Sequence, residues 1–358
     1  MPTEPNVRVL ADQRVIRYAA GTSSTLALSQ ILAWDQSYLA AVFAATFLAL
    51  PMSPPKLKGG LIFLIILMAA LLLGLLILGP LKYYEAAGLL LLALSFFSVF
   101  HYALKGGNPL VTALAIAGLA AVPIVGVLSV PAAISVCVSL LKAGLVALLA
   151  LWFFHAIFPD PPVIANAVVQ PAAATPAGPV VPPARLAARS TLVVMPVLVW
   201  LLATSGVSNI AVAIKVSSMG QQASADSSRQ AGWSLLASTL IGGVAAILIW
   251  MVLKVWPSLL LYSLLVLLAG LVMGRRIFAG AAFAPGGQVW SYGYVTMLII
   301  LGPIVLDSGD AAGGRFLDRL LMFLGATVYS VLAVFFFDAV MGHRKVHNDR
   351  IPLGKANT

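Results

Sequence analysis

The sequence is dominated by long apolar runs that carry almost no charge: Leu61–Gly79, Ala86–Leu104, Leu110–Val130, Ala132–Phe158 and Leu192–Ala203. A bilayer core about 30 Å thick needs about 20 apolar residues per helix, and all of these runs but the shorter Leu192–Ala203 reach about that length. They are rich in Leu, Ala, Val and Ile and do not alternate apolar with polar residues, which excludes the period-two pattern of a membrane β-barrel. In hydrocarbon only helices and closed barrels satisfy their own backbones, so the runs read as membrane helices. Composition agrees: 61% of residues are hydrophobic and 9% charged, against roughly a quarter charged in soluble domains.

The net charge of +10 follows topology better than nucleic-acid binding. No basic face or stacking platform is present, and the basic residues sit in short segments between apolar runs. With the N-terminus in the cytoplasm and one crossing per helix, fifteen of the 21 Lys and Arg lie inside. Four lie outside (Lys82, Lys254, Arg315 and Arg319), and Lys142 and Lys215 fall within the membrane. That is the positive-inside bias. The expected localisation is a bacterial inner membrane with both termini cytoplasmic. The first 13 residues are polar and no short h-region with a cleavage site follows, so the first helix is expected to act as its own insertion signal.

Pro159 to Ala184 contains eight prolines and one charge and reads as a semi-extended cytoplasmic linker. It separates a first transmembrane unit, 17–158, from a second, 185–341, with tails at 1–16 and 342–358. The expected fold is an all-α polytopic membrane protein of about twelve helices in two six-helix repeats. The helices are read over 17–34, 38–50, 60–79, 83–104, 109–128 and 131–157, then 185–204, 208–219, 229–255, 258–273, 290–306 and 315–341. Matched signals support duplication. Arginines open both halves, Trp34 and Trp200 end the first helices, Pro80 and Pro257 follow the third, and Phe153-Phe154-His155-Ala156-Ile157 parallels Phe336-Phe337-Asp338-Ala339-Val340. Six helices per half leave the repeats in the same orientation, about an axis along the membrane normal.

The opening Arg-rich segment, the weakly apolar first helix ending in Trp34-Asp35-Gln36-Ser37-Tyr38, the short second helix and the Pro/Lys/Gly loop resemble the fusaric-acid-resistance and aromatic-acid-exporter superfamily. In the second half, Arg229-Gln230-Ala231-Gly232 leads into Ser238-Thr239-Leu240-Ile241-Gly242-Gly243, similar to an Arg-x-x-Gly-Thr-x-x-Gly motif of that group, with Trp233 where the motif has Thr. Larger relatives carry a cytosolic domain where this chain has only its Pro-rich linker, so the resemblance is to a compact branch. It implies export of small aromatic or organic acids, with a periplasmic membrane-fusion adaptor and an outer-membrane channel as partners, and a possible homo-oligomer.

No phosphate-cradling loop, paired-carboxylate or Ser/Lys signature is present, so no enzyme chemistry and no cofactor are expected. His101, His155, His343 and His347 are too scattered for a metal site, and the lone Cys137 excludes an intramolecular disulfide. Tyr38–Leu50 and Ser208–Met219 are too short to cross a bilayer simply, and short segments at matched places point to a transport site. Trp34, Tyr38, Lys142, Trp200, Asn209 and Lys215 are therefore the expected substrate path. Lys142, about eleven residues into its run, is expected to face the bundle interior, because a charge at mid-membrane is costly against lipid; snorkelling or a structural ion pair is the alternative. The polar first helix (Thr22, Ser23, Ser24, Thr25, Ser29, Gln30) should face protein or water; plain helix packing explains it as well. His155 and Asp338 are candidates for proton coupling. The expected function is a secondary exporter of small organic anions. A passive anion channel and a non-transporting scaffold remain the alternatives.

Overall fold

The computed structural model describes residues 4–50, 54–159, 182–203, 229–279 and 285–306, with isolated positions between 321 and 332. Every regular element among them is an α-helix. We number them α1 (Glu4–Ile31), α2 (Tyr38–Ala49), α3 (Leu57–Tyr83), α4 (Glu85–Leu104), α5 (Pro109–Gly126), α6 (Val130–Ile157), α7 (Pro183–Ala203), α8 (Arg229–Val255), α9 (Leu259–Ile277) and α10 (Pro285–Leu306). Six are long and apolar enough to cross a membrane, with mean hydropathy from 1.7 to 3.3 over the spanning window; two further apolar helices, Tyr38–Ala49 and Val111–Gly126, are shorter. The chain is an all-helical membrane protein.

All six helices expected in the first half form, as do four in the second. The expected segments 208–219 and 315–341, most of the linker and the C-terminal tail lie outside the described residues. α1 begins at Glu4 rather than Arg17. Hydropathy marks only the apolar part of a helix, and no breaker separates Asn6 from Arg17, so the helix continues out of the apolar zone. α3 and α4 are joined by Tyr84 alone. The Tyr84 N–H bonds the Pro80 carbonyl at 2.8 Å, and Pro80 is accommodated in the last turn of α3.

Contacts fix the relative directions of the helices. Arg17 donates from Nη1 to the Phe158 carbonyl at 3.0 Å, while Asp35 accepts from the Ser135 hydroxyl at 2.5 Å. α1 and α6 are therefore antiparallel, with Arg17 and Phe158 at one end of the bundle and Trp34, Asp35 and Ser135 at the other. α2 runs back beside α1: Leu48 packs at Gly21, and beyond α2 the Pro55 carbonyl accepts from Trp152 Nε1 at 2.8 Å near the Phe158 end. α2 is the central helix. Of its 12 residues, eight are buried, and it packs against α1, α6 and α10. A helix enclosed by protein need not match the bilayer thickness, so its length of about 18 Å suffices.

Two crossings bring backbones unusually close. α3 packs along α5, where a Cβ at Gly74 would sit 2.6 Å from the Gly118 carbonyl and Gly118 abuts the Ala70 carbonyl. α8 packs along α10 in the same way: Gly242 abuts the Gly293 carbonyl, and a Cβ at Gly293 would lie 3.3 Å from the Ser238 carbonyl. Between the parts of the chain that flank the linker, α1 packs on α9 and α4 packs on α7. Small residues at membrane crossings allow this close van der Waals and Cα–H···O contact.

A side chain at either crossing has no space to occupy. Gly74→Val and Gly242→Val should each lower stability by about 1–3 kcal/mol, read as a reduced midpoint of thermal unfolding in detergent. Gly79→Ala, where a Cβ would meet nothing within 4 Å, should leave the midpoint unchanged.

Candidate functional site

The polar first helix faces protein, as its sequence implies, except at Ser24, which is exposed. Thr22, Thr25 and Ser29 are buried and donate to carbonyls within α1, at Tyr18, Gly21 and Leu26. Ser23 reaches across to the Ser263 carbonyl of α9 at 2.7 Å. Three of these four hydroxyls are thus satisfied by their own helix. They serve packing and need no ligand.

At the Trp34 end, α1 stops at Ile31 and turns back into α2 within six residues. The turn places two non-glycine residues in the left-handed region, Ala33 at φ 47° and Gln36 at φ 57°, at a cost of order 1–3 kcal/mol each. Backbone bonds hold it, from Ala33 N–H to the Gln30 carbonyl at 3.1 Å and from Ser37 N–H to the Trp34 carbonyl at 3.2 Å. The result presents Trp34 and Asp35 to the flank of α6. Together with Leu32, Ala33, Ser135, Val138, Ser139 and Lys142 they line an open recess of about 460 Å³. Ser139 is buried and Lys142 is exposed. The indole Nε1 of Trp34 is buried with no hydrogen-bond partner. The α6 wall thus offers an ammonium and two serine hydroxyls, that of Ser135 already donated to Asp35, and the turn offers a carboxylate and the Trp34 indole.

One sequence expectation is corrected. Lys142 does not face the bundle interior. It lies about 18 Å along α6 from Val130, on the outward stripe with the exposed Val138, Leu145 and Leu149. The inward stripe is taken by Ala133, Val136, Leu140, Ala143 and Ala147. A flexible stem lets the ammonium reach toward the recess and the wet end of the helix. Tyr38 does not line the recess: it is 2% exposed, its ring abuts Gly302 of α10, and its hydroxyl donates to Gln36 Oε1 at 2.9 Å.

Of the remaining expected site residues, Trp34 joins Lys142 in the recess. Trp200 is 46% exposed on α7, which packs against α4 and α5, and does not line the recess. His155 is buried near the Phe158 end, its Nδ1 2.8 Å from the Leu151 carbonyl; since a carbonyl only accepts, that nitrogen carries the proton. Asn209, Lys215 and Asp338 lie outside the described residues. Among the described residues no cluster of three or more His, Cys, Asp or Glu could hold a metal. Sequence reasoning missed Asp35, Ser135 and Ser139. The Asp35–Ser135 pair spans 100 residues, and only the fold brings it together.

Residues 14–153 match a family described as a protein of unknown function (DUF2955), a stretch that contains the whole recess. No curated protein matches the sequence. No solved structure matches the chain.

The outward placement of Lys142 is directly testable. In a Cys137→Ala background, Lys142→Cys should react within minutes with a water-soluble maleimide applied from the Trp34 side of sealed vesicles. The adjacent Ala143→Cys, at a position with 0% exposure, should stay unlabelled. Equal protection of both positions would return Lys142 to the interior.

Proposed function

We propose that the chain is a bacterial inner-membrane secondary exporter of small organic, chiefly aromatic, acids. In this reading it is proton-coupled, needs no cofactor, catalyses no covalent reaction and delivers its cargo to a periplasmic adaptor and outer-membrane channel. The observation that carries the reading is the recess. An aromatic carboxylate needs a cation, hydrogen-bond donors and an apolar face, and Lys142, Ser139 and the indole of Trp34 line one opening. The resemblance of the Trp34-Asp35-Gln36-Ser37-Tyr38 region to aromatic-acid exporters points the same way.

The chain is further proposed to be a duplicated unit of twelve helices. The support is reciprocal packing. The third and fifth helices of each expected half are α3 and α5, and α8 and α10, and each pair crosses at glycines. The first and fourth are α1 and α4, and α7 and α9; the first of each packs on the fourth of the other. Two copies of one unit related by a two-fold axis make that pattern. The basic residues place Arg17, Lys58, Lys105, Arg185 and Arg275 at the proposed cytoplasmic ends, and put the recess at the periplasmic end.

Two measurements test this reading. In proteoliposomes carrying a proton gradient, the wild type should accumulate an aromatic acid against its own gradient. Flux that only dissipates a gradient would indicate a channel, and no flux a scaffold. Lys142→Met should then raise KM about ten- to hundredfold, since a hydrogen bond to a charged group contributes about 1.5–3 kcal/mol. For topology, cysteines at Ala173 and Thr358 in the Cys137→Ala background should resist an impermeant thiol reagent in intact cells. Labelling at either would defeat the orientation.

A further inference from the structure

Four tyrosines stand in a row through the middle of the bundle, one from each of four helices. Tyr18 of α1, Tyr262 of α9 and Tyr294 of α10 are 0% exposed, and Tyr38 of α2 is 2% exposed. The rings of Tyr18 and Tyr294 are 5.2 Å apart. The Tyr294 hydroxyl donates to the Val266 carbonyl at 3.1 Å, and Tyr262 lies within electrostatic reach of both Tyr294 and Tyr38. Along α1, the row runs from Tyr18 toward the end of the helix at Ile31, about 20 Å, which is about two thirds of a bilayer core. It lies where α1 and α2, from before the linker, meet α9 and α10, from after it.

Two features of this seam do not suit a permanently closed core. The Tyr262 hydroxyl is buried with no hydrogen-bond partner, as is the Ser37 hydroxyl at the same end. Phenylalanine would fill the space of Tyr262 without the desolvation cost of about 1–3 kcal/mol that an unsatisfied buried polar group carries. Where α1 meets α9 the facing surfaces are also smooth, crossed by the Ser23 hydroxyl bond to the Ser263 carbonyl, while between α2 and α10 the Tyr38 ring sits against Gly302. Gly270 meets Ala19, where a Cβ would lie 3.0 Å from the Ala19 Cβ, and Gly274 meets Val15. Surfaces built on small residues part without withdrawing long side chains from their sockets.

We propose that the seam between α1–α2 and α9–α10 is a translocation path in its closed form, and that its opening wets the tyrosine row. Water or cargo then satisfies the Tyr262 hydroxyl, and the phenol rings offer stacking faces with polar edges to a planar acid. The identity of the cargo rests on the exporter reading; the opening does not. The recess and the seam flank the same hairpin, since α1 and α2 pack on α6 on one side and on α9 and α10 on the other. An anion held by Lys142 and Trp34 therefore sits on an element whose other face is the seam.

The test uses the full chain in membranes, in the Cys137→Ala background. Tyr262→Cys should react with N-ethylmaleimide, although the position is fully buried in the closed form. Adding Ala19→Cys and Gly270→Cys, or Val15→Cys and Gly274→Cys, and oxidising should lock the seam. The lock should slow labelling at position 262 at least tenfold, with reductant restoring it. No labelling at 262 in folded protein, or labelling that the lock leaves unchanged, would overturn the proposal. Tyr262→Phe, which keeps the packing, guards against misfolding: it should remain folded and lower the export rate at least fivefold. An unchanged rate would also count against the path. If the wild type moves no organic acid while labelling still obeys the lock, the exporter reading fails and the opening seam stands.

Discussion

Hydrocarbon gives no hydrophobic reward for setting one apolar helix against another, so a bundle like this one holds together by how closely its helices approach. The closest approaches are the glycine crossings of α3 with α5 and α8 with α10, where backbone carbonyls touch the opposite helix. Each crossing fixes a pair of parallel helices, and the intervening α4 and α9 return between them. Those returning helices in turn receive the first helices, α7 on α4 and α1 on α9. Remove the room at Gly74 or Gly242 and the platform for the neighbouring contacts shifts with it.

Close packing also sets where polar groups can stand. Thr22, Thr25, Ser29, Thr191 and Thr296 each donate to a carbonyl three or four residues earlier in their own helix, so they are satisfied at any depth and add little between helices. Arg17 differs. It donates to the exposed carbonyl at the end of α6, where a cation also complements the helix dipole, and so ties α1 to α6 at one end as Asp35 and Ser135 do at the other.

Helix existence was legible because apolar runs of about twenty residues admit few other folds; α2 and α6 agree with their expected bounds within a residue. Helix orientation was not legible. α3 and α6 are apolar on every side, as buried or membrane helices are, so nothing in the spacing says which stripe faces lipid. Lys142 was assigned inward on cost alone. That reasoning overlooked a recess beside it, made by a turn whose left-handed Ala33 and Gln36 leave no signature in residue types that rarely adopt such angles. The role of the short α2 was not legible either: by length it looks unable to span, whereas enclosure by α1, α6 and α10 removes the need to match the bilayer.

The α1–α2 hairpin is where these constraints meet. Its turn holds strained backbone at Ala33 and Gln36, and strain persists only where the surroundings over-determine it. Here they do so from both sides. On one, Asp35 is held to α6 by Ser135. On the other, Gln36 accepts from Tyr38, whose ring is pressed into the space left by Gly302 of α10. Neighbouring residues of a single turn are therefore anchored to different parts of the bundle, and a shift of α10 relative to α6 cannot leave the turn unchanged. In a helical bundle whose other described connections are short or carry no such strain, this turn is the element best placed to convert occupancy of a surface recess into movement at the core.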